Sequence, residues 1–273
     1  MRPICIYHAN CADGFAAAWV VRRALRGVEF HPADYGSEPP DVTGREVFIV
    51  DFSYPRTMLL QMAAVASDIL ILDHHKTAQA ELVELPGNAK AVFDMERSGA
   101  MLAWQHFFPD QDAPELLKHI QDRDLWRFSL PGTREITAAL FSYPYDFARW
   151  DALMLTPLEA LWQEGVALLR KHDKDVREML RHTRRELIIN GYRVPAANLP
   201  PTMASDAGHI LAAGAPFAAI YIDTPSGRQF SLRSTDEGLD VSEIARAYGG
   251  GGHRNAAGFR VSFDAAAEFE VQA

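Results

Sequence analysis

Six side chains able to do acid, base or ligand chemistry stand just after short apolar runs. His8 and Asp13 follow residues 3–7 (PICIY), Asp51 follows residues 47–50 (VFIV), and Asp73, His74 and His75 follow residues 69–72 (ILIL). Carboxylate oxygen and imidazole nitrogen are the donors that hard and borderline divalent cations such as Mn²⁺ prefer. Singly, each residue has an ordinary explanation: an Asp after a strand caps a turn, and a His is solvated or hydrogen-bonded. Three successive run ends that all deliver acid or imidazole are harder to explain without a bound cation.

The elements that must position these groups can be read from the periodicity. Apolar runs at residues 3–7, 47–50 and 69–72 alternate with helical patterns at residues 14–25 and 57–66, which implies a parallel sheet. The polar clusters then fall at the carboxyl ends of the strands, where open α/β sheets collect ligands. From Thr156 to about Leu187 the pattern reads as one long helix, with Thr156 as N-cap, Pro157 in the first helical position and Glu159 three residues after the cap. After Gly191 come shorter runs at 217–222 and 229–233, a helical stretch at 241–248 and a Gly-rich turn. The expected organisation is α/β: an N-terminal parallel-sheet domain (1–155), a helical linker (156–190) and a smaller α/β C-terminal domain (191–273).

With 48% hydrophobic and 23% charged residues, the 273-residue chain can bury a full core and is unlike a disordered chain. Thirty-six acidic residues against 27 basic give a net charge of −9, which opposes a broad phosphate-tracking surface for long duplexes. A small anionic substrate held locally remains compatible. Two cysteines, Cys5 and Cys11, are too few for a disulfide framework or a Cys-based zinc site. The amino terminus lacks a secretory pattern and no window approaches a membrane span, so the expected location is the cytoplasm, with no membrane partner.

The runs YHANCADGF, VDFSY, ILDHHKTA and YGGGGHRNAAGF occur in the order found in the DHH phosphoesterases with their associated C-terminal domain, and together they span residues 8 to 258. The chain resembles that family, and its compact length is similar to the branch that degrades short oligoribonucleotides and linear dinucleotides, the nanoRNases. The resemblance implies that His8, Asp13, Asp51 and His74 bind metal, with Asp51 bridging two ions. It implies that Asp73 orients His74 and that His75 contacts substrate phosphate or assists proton transfer. In HIQDRDLWRF, Asp122 and Asp124 compete for a further ligand position, Asp122 being slightly favoured. Arg233 is similar to the family's substrate-gripping Arg and suits bidentate phosphate contact, although an exposed strand charge explains it equally well. Gly250, Gly251 and Gly252 permit backbone approach to a phosphate, with His253 and Asn255 as side-chain donors. Ser98, by contrast, reads as a helix cap.

One feature departs from the family pattern. The first motif commonly carries two Asp residues spaced one apart; here Cys11 replaces the first, and the His lies one residue closer. Cys11 can be a ligand of a softer metal, a redox liability, or a small residue lining the loop, the last being favoured. The implied cofactor is Mn²⁺, one ion or two, with Mg²⁺ as the alternative. The implied reaction is metal-assisted hydrolysis of a short single-stranded oligonucleotide, linear dinucleotide or nucleotide, with 3′-phosphoadenosine phosphatase activity in some members. Two alternatives stay open: hydrolysis of pyrophosphate or a cyclic dinucleotide, and a nucleotide-binding protein without catalysis. Cleavage polarity, RNA or DNA preference and oligomeric state, a homodimer among the options, do not follow from these residues.

Overall fold

The computed structural model describes residues 1–271 and divides into two compact units, the first ending at Leu169 and the second starting at Arg170. The first contains β1 (Ile4–His8), α1 (Ala12–Ala24), β2 (Glu29–Ala33), β3 (Glu46–Val50), α2 (Arg56–Val65), β4 (Asp68–Asp73), α3 (Lys76–Glu81) and β5 (Ala89–Phe93). The strands form a wholly parallel sheet in the order β2-β1-β3-β4-β5. Alternation along each strand sends Cys5, Phe48, Val50, Leu70 and Leu72 into one apolar cluster. Ile4, Ile6, Val47, Ile49, Ile69 and Ile71 enter another, so each of the three central strands reads as a continuous apolar run. Truncating a fully buried member such as Ile49 to Ala would cost about 2–5 kcal/mol. The edge strands β2 and β5 are weaker signals, because β2 contains Pro32, which only an edge strand tolerates, and β5 is half-buried.

Five helices complete this part of the chain: α4 (Gly99–Phe107), α5 (Glu115–Asp124), α6 (Thr133–Leu140), α7 (Phe147–Leu153) and α8 (Leu158–Thr183). Ser98 caps α4 as expected, its hydroxyl accepting from the Met101 amide at 3.4 Å. Residues Ala12 to Val21 of α1 are all buried, Asp13 among them, so all but the last turn of this helix sits inside its unit. Two expectations for α8 need correction. Thr156 does not cap it, since its hydroxyl donates to the Ala152 carbonyl at 2.9 Å and the helix starts at Leu158. Nor does the helix reach Leu187: it stops at Thr183, and the residues assigned to the end of the linker form β6 (Arg184–Ile189). The reason lies in residues 187–191. Leu187 and Ile189 alternate into a core, and Asn190-Gly191, with φ of 52° and 81°, makes the left-handed two-residue turn that folds β6 onto β7.

The second unit comprises the end of α8, β6, β7 (Tyr192–Asn198), α9 (Pro201–Ala212), β8 (Ala218–Thr224), β9 (Gly227–Arg233), α10 (Val241–Arg246), β10 (Gly251–His253), β11 (Ala256–Val261) and α11 (Phe263–Ala267). Its mixed sheet runs β10-β11-β9-β8-β7-β6, antiparallel except for the β7–β8 pair. One face packs Leu187, Ile189, Phe217, Phe230 and Phe259 with Ile244 of α10; the other packs Val176 and Leu180 of α8 with α9. Among the described residues no helix is long and apolar enough to cross a membrane.

Candidate metal centre

The strand ends of the first unit bring the sequence candidates together. His8 ends β1, Asp13 lies in the first turn of α1, Asp51 follows β3, Asp73 ends β4 with His74 and His75 directly after it, and Asp124 ends α5. His74 Nε2 is 3.0 Å from Asp51 Oδ1, 3.5 Å from Asp124 Oδ2 and 3.8 Å from Asp13 Oδ2. His8 Nδ1 is 3.5 Å from Asp51 Oδ2. Among the described residues of the first unit, two groups have ligand atoms mutually within 4.8 Å, Asp13–Asp51–His74 and His8–Asp51–His75, and Asp51 belongs to both. Asp51 sits at φ 53°, a left-handed backbone rare outside Gly and characteristic of functional sites.

The N-terminus of α4 fixes the carboxylates. The Gly99 and Ala100 amides donate to Asp13 Oδ2 and Oδ1 at 2.6 and 3.1 Å, an anion seated on unsatisfied helix amides. Glycine is required there, because a Cβ on Gly99 would lie 2.4 Å from Asp51 Cβ. Gly14 is constrained in the same way, its Cβ falling 2.4 Å from the His8 carbonyl oxygen. Sequence reasoning assigned neither glycine to the centre. Tyr35 was also missed: it is 49% exposed, and its ring lies 5.6 Å from that of His8 and 5.9 Å from that of His75. Gly-Tyr proximity of this kind has no signal in a single chain, because the contacts are long-range.

Asp73 does not hold the His74 ring, as the resemblance implied. Its Oδ1 accepts from the His74 amide at 2.8 Å and contacts His75 Nδ1 at 2.7 Å, while Ser53 donates its hydroxyl to Oδ2 at 2.8 Å. The carboxylate orients His75, so Nε2 is the nitrogen presented to a ligand.

The preference for Asp122 over Asp124 does not match the geometry. Asp122 accepts from the Ser129 amide and hydroxyl at 2.9 and 2.7 Å, the Leu130 amide at 3.0 Å and the Thr133 hydroxyl at 2.6 Å. It organises the turn between α5 and α6, in which Trp126 and Phe128 take positive φ. Asp124, two residues on, is the carboxylate beside His74.

Crowding of charge shapes the titration of the cluster. Burial, then the charges of Asp51 and Asp124, push Asp13 well above the usual carboxylate range. Burial acts the same way on Asp51, but His74 and His8 outweigh it and hold that carboxyl well below. His74 would be lowered by burial, yet the surrounding carboxylates raise it to about 10. Asp51 Oδ2 is buried without a hydrogen-bond partner among the described residues. Converging carboxylates, an orphaned oxygen and imidazoles at strand ends are a donor set that fits a divalent cation.

In the second unit the register His253↔Ala256↔Arg233 puts both candidate phosphate contacts on one row of the sheet, two strands apart. Arg233 donates to Ser205 Oγ at 2.9 Å, and its stem lies against α9, where a Cβ on Gly208 would meet Arg233 Cγ at 2.7 Å. The Gly run is less open than expected. Gly251 and Gly252 belong to β10, and Cβ atoms on Gly250 and Gly252 would strike the β11 carbonyls of Gly258 and Ala256 at 2.0 and 2.6 Å. Close strand packing therefore accounts for these two glycines. Asn255 donates to Asp236 Oδ1 at 2.6 Å.

Residues 202–270 match the DHHA1 domain. An uncharacterized protein of Acanthamoeba polyphaga mimivirus, R106, is 32% identical over 292 residues, covering 95% of this chain and 67% of that protein. A pGpG-specific phosphodiesterase of Vibrio cholerae, PggH, superposes with a TM-score of 0.53 at 14% identity, over 97% of this chain and 95% of that one. An exopolyphosphatase-related protein of Bacteroides fragilis gives 0.56 at 12% identity, over 94% and 86%. The chain thus belongs to one family with the mimivirus protein, carries a DHHA1 domain in its second unit, and shares its fold with the two solved structures.

Proposed function

We propose that the protein is a metal-dependent phosphodiesterase that hydrolyses short oligonucleotides or linear dinucleotides to mononucleotides. The observation that carries the reading is the sharing of Asp51 between two donor groups, Asp13–Asp51–His74 and His8–Asp51–His75. In this reading Asp13, Asp51, His74 and Asp124 hold a cation, Mn²⁺ being the ion best suited to oxygen and imidazole donors. The chemistry a divalent cation supplies at such a cluster is acidification of water and neutralisation of phosphoryl charge. His75, oriented by Asp73, contacts the scissile phosphate or moves the proton. Arg233 and His253 bind a substrate phosphate, as their shared row on the sheet allows. The acidic balance of the chain suits a small substrate better than a long duplex.

The test is release of mononucleotides from an end-labelled short oligoribonucleotide and from pGpG, with Mn²⁺, Mg²⁺ or chelator, for wild type and His74→Ala. Cleavage that needs both the ion and His74 supports the proposal. Orthophosphate released only from pyrophosphate or polyphosphate would replace it with an inorganic-phosphate hydrolase, and binding of nucleotide without turnover would replace it with a nucleotide-binding protein.

A further inference from the structure

Tyr35 borders the His8–Asp51–His75 group. Its ring centroid lies 5.6 Å from that of His8 and 5.9 Å from that of His75, edge-to-face in both pairs, and 5.2 Å from that of the buried Phe52. Three rings fix its place, yet 49% of the residue stays exposed. The backbone is built to hold it there. β2 ends at Ala33, whose carbonyl accepts from the Ala9 amide at 2.9 Å, so this strand end is tied to the residue after His8. The chain then turns over residues 34–37. The Ser37 amide and hydroxyl donate to the Asp34 carbonyl at 3.0 and 2.7 Å, and Gly36 takes φ 86°. Positive φ at the third residue alone is the mark of a type II turn, and Tyr35 is its second residue. A Cβ on Gly36 would meet no atom within 4 Å, so the space beside the turn is open. We propose that Tyr35 is a specificity-determining residue, which stacks on the base of a nucleotide whose phosphate is held at the Asp51 cluster.

The chemistry favours this occupant. Every nucleobase has a π face, so an aromatic ring binds any of them without reading sequence. Tyrosine gives a large, rigid contact surface with only two side-chain torsions to order. Here the neighbouring rings of His8, His75 and Phe52 have already ordered them, so little freedom is lost when a base arrives. One sugar separates a base from its phosphate, and a phosphate in contact with His75 leaves the base within reach of the ring that abuts the same imidazole. Pyrophosphate and polyphosphate have nothing to place on that ring. Tyr35 thus selects nucleotides over inorganic phosphate compounds at a cluster that is otherwise chemically suited to both. This inference rests on the phosphodiesterase reading above.

Full-length wild type, Tyr35→Phe and Tyr35→Ala are titrated calorimetrically with GMP and with ribose 5-phosphate in the presence of Mn²⁺, and KM for pGpG is measured for each. The two probes share phosphate and sugar and differ in the base. Tyr35→Ala should bind GMP about 10–100-fold more weakly than wild type, the range that loss of one base–aromatic stack spans. Its affinity for ribose 5-phosphate should match that of wild type, and Tyr35→Phe, which keeps the ring, should bind GMP as wild type does. KM for pGpG should rise in Tyr35→Ala by a similar factor. Equal GMP affinity in wild type and Tyr35→Ala overturns the stacking. Equal weakening towards ribose 5-phosphate also overturns it, because the ring then acts only through His8 and His75. Tyr35→Phe as weak as Tyr35→Ala assigns the contact to the hydroxyl and overturns it as well. The expected GMP pattern without cleavage of pGpG leaves the stacking standing and removes the phosphodiesterase reading alone.

Discussion

Gly99 and Asp51 approach so closely that a Cβ on Gly99 would lie 2.4 Å from Asp51 Cβ and 2.8 Å from its Oδ1. The same glycine gives its amide to Asp13 Oδ2 at 2.6 Å. One backbone position thus sets two carboxylates of the centre, and it can do so only without a side chain.

Gly99→Ala should therefore displace Asp51 from His74 with little loss of secondary structure. Forcing a methyl into a packed site costs about 1–3 kcal/mol. If that strain falls on the ligand-bound geometry, affinity for Mn²⁺ drops about tenfold or more. Calorimetric titration of wild type and variant with Mn²⁺ measures this directly, and equal affinities would mean that α4 yields instead of Asp51.

Asp122 and Asp124 should separate by phenotype. Asp124→Asn should lose divalent-ion affinity and keep its thermal stability. Asp122→Asn should keep the ion but lose about 1–3 kcal/mol, because its carboxylate satisfies Ser129, Leu130 and Thr133. Burial pushes the Asp122 carboxyl up, but those hydrogen bonds outweigh it and leave it below its ordinary value of 3.8. Its stabilisation is then present above that value and lost as pH falls through the depressed one. Denaturant melts across the acid range compare the two variants, and a stable Asp122→Asn would contradict the assignment.

His74 should make metal binding depend on pH. In the metal-free protein its carboxylate neighbours lift it from 6.5 to about 10 despite burial, so a proton occupies the imidazole at neutral pH and a cation must displace it. Apparent Mn²⁺ affinity should rise as pH increases towards that value. Protonation raised in the folded state also stabilises the metal-free protein, fully below 6.5 and progressively less as pH climbs through about 10. Melting curves of chelated protein should fall over that window, and curves that stay flat would remove His74 as the proton carrier.

Asp73→Asn should leave ion content unchanged and reduce turnover about 10–100-fold, since Asp73 holds the ring of His75. Elemental analysis with single-turnover kinetics tests the pair of outcomes, and a loss of bound metal would show that Asp73 acts on His74 instead.

Much of this centre was legible in the residues alone. The three apolar runs are strands because they are buried on both faces of a parallel sheet, and that burial leaves a periodic record that places His8, Asp51 and Asp73–His75 at strand ends. The edge strands β2 and β5 left a weaker record, because half-burial does not demand a continuous apolar run. The turn at Asn190-Gly191 was present in the sequence as the strongest short hairpin signal, and the helical propensity of the preceding charged residues obscured it.

What only the tertiary structure decided is which of two similar side chains turns inward. Asp122 and Asp124 are two residues apart at the end of one helix, so they point about 200° apart around its axis. Local sequence shows that one must face the centre, but the packing of α5 and the loop built on Asp122 select Asp124. Likewise, the type of residue 73 was readable as an orienting carboxylate, but its partner was not. The His74 and His75 rings stay in contact, with centroids 5.0 Å apart, yet the carboxylate's side-chain hydrogen bond went to His75. The sequence determines which donors are available at each strand end; distances between elements far apart in the chain determine which of them meet.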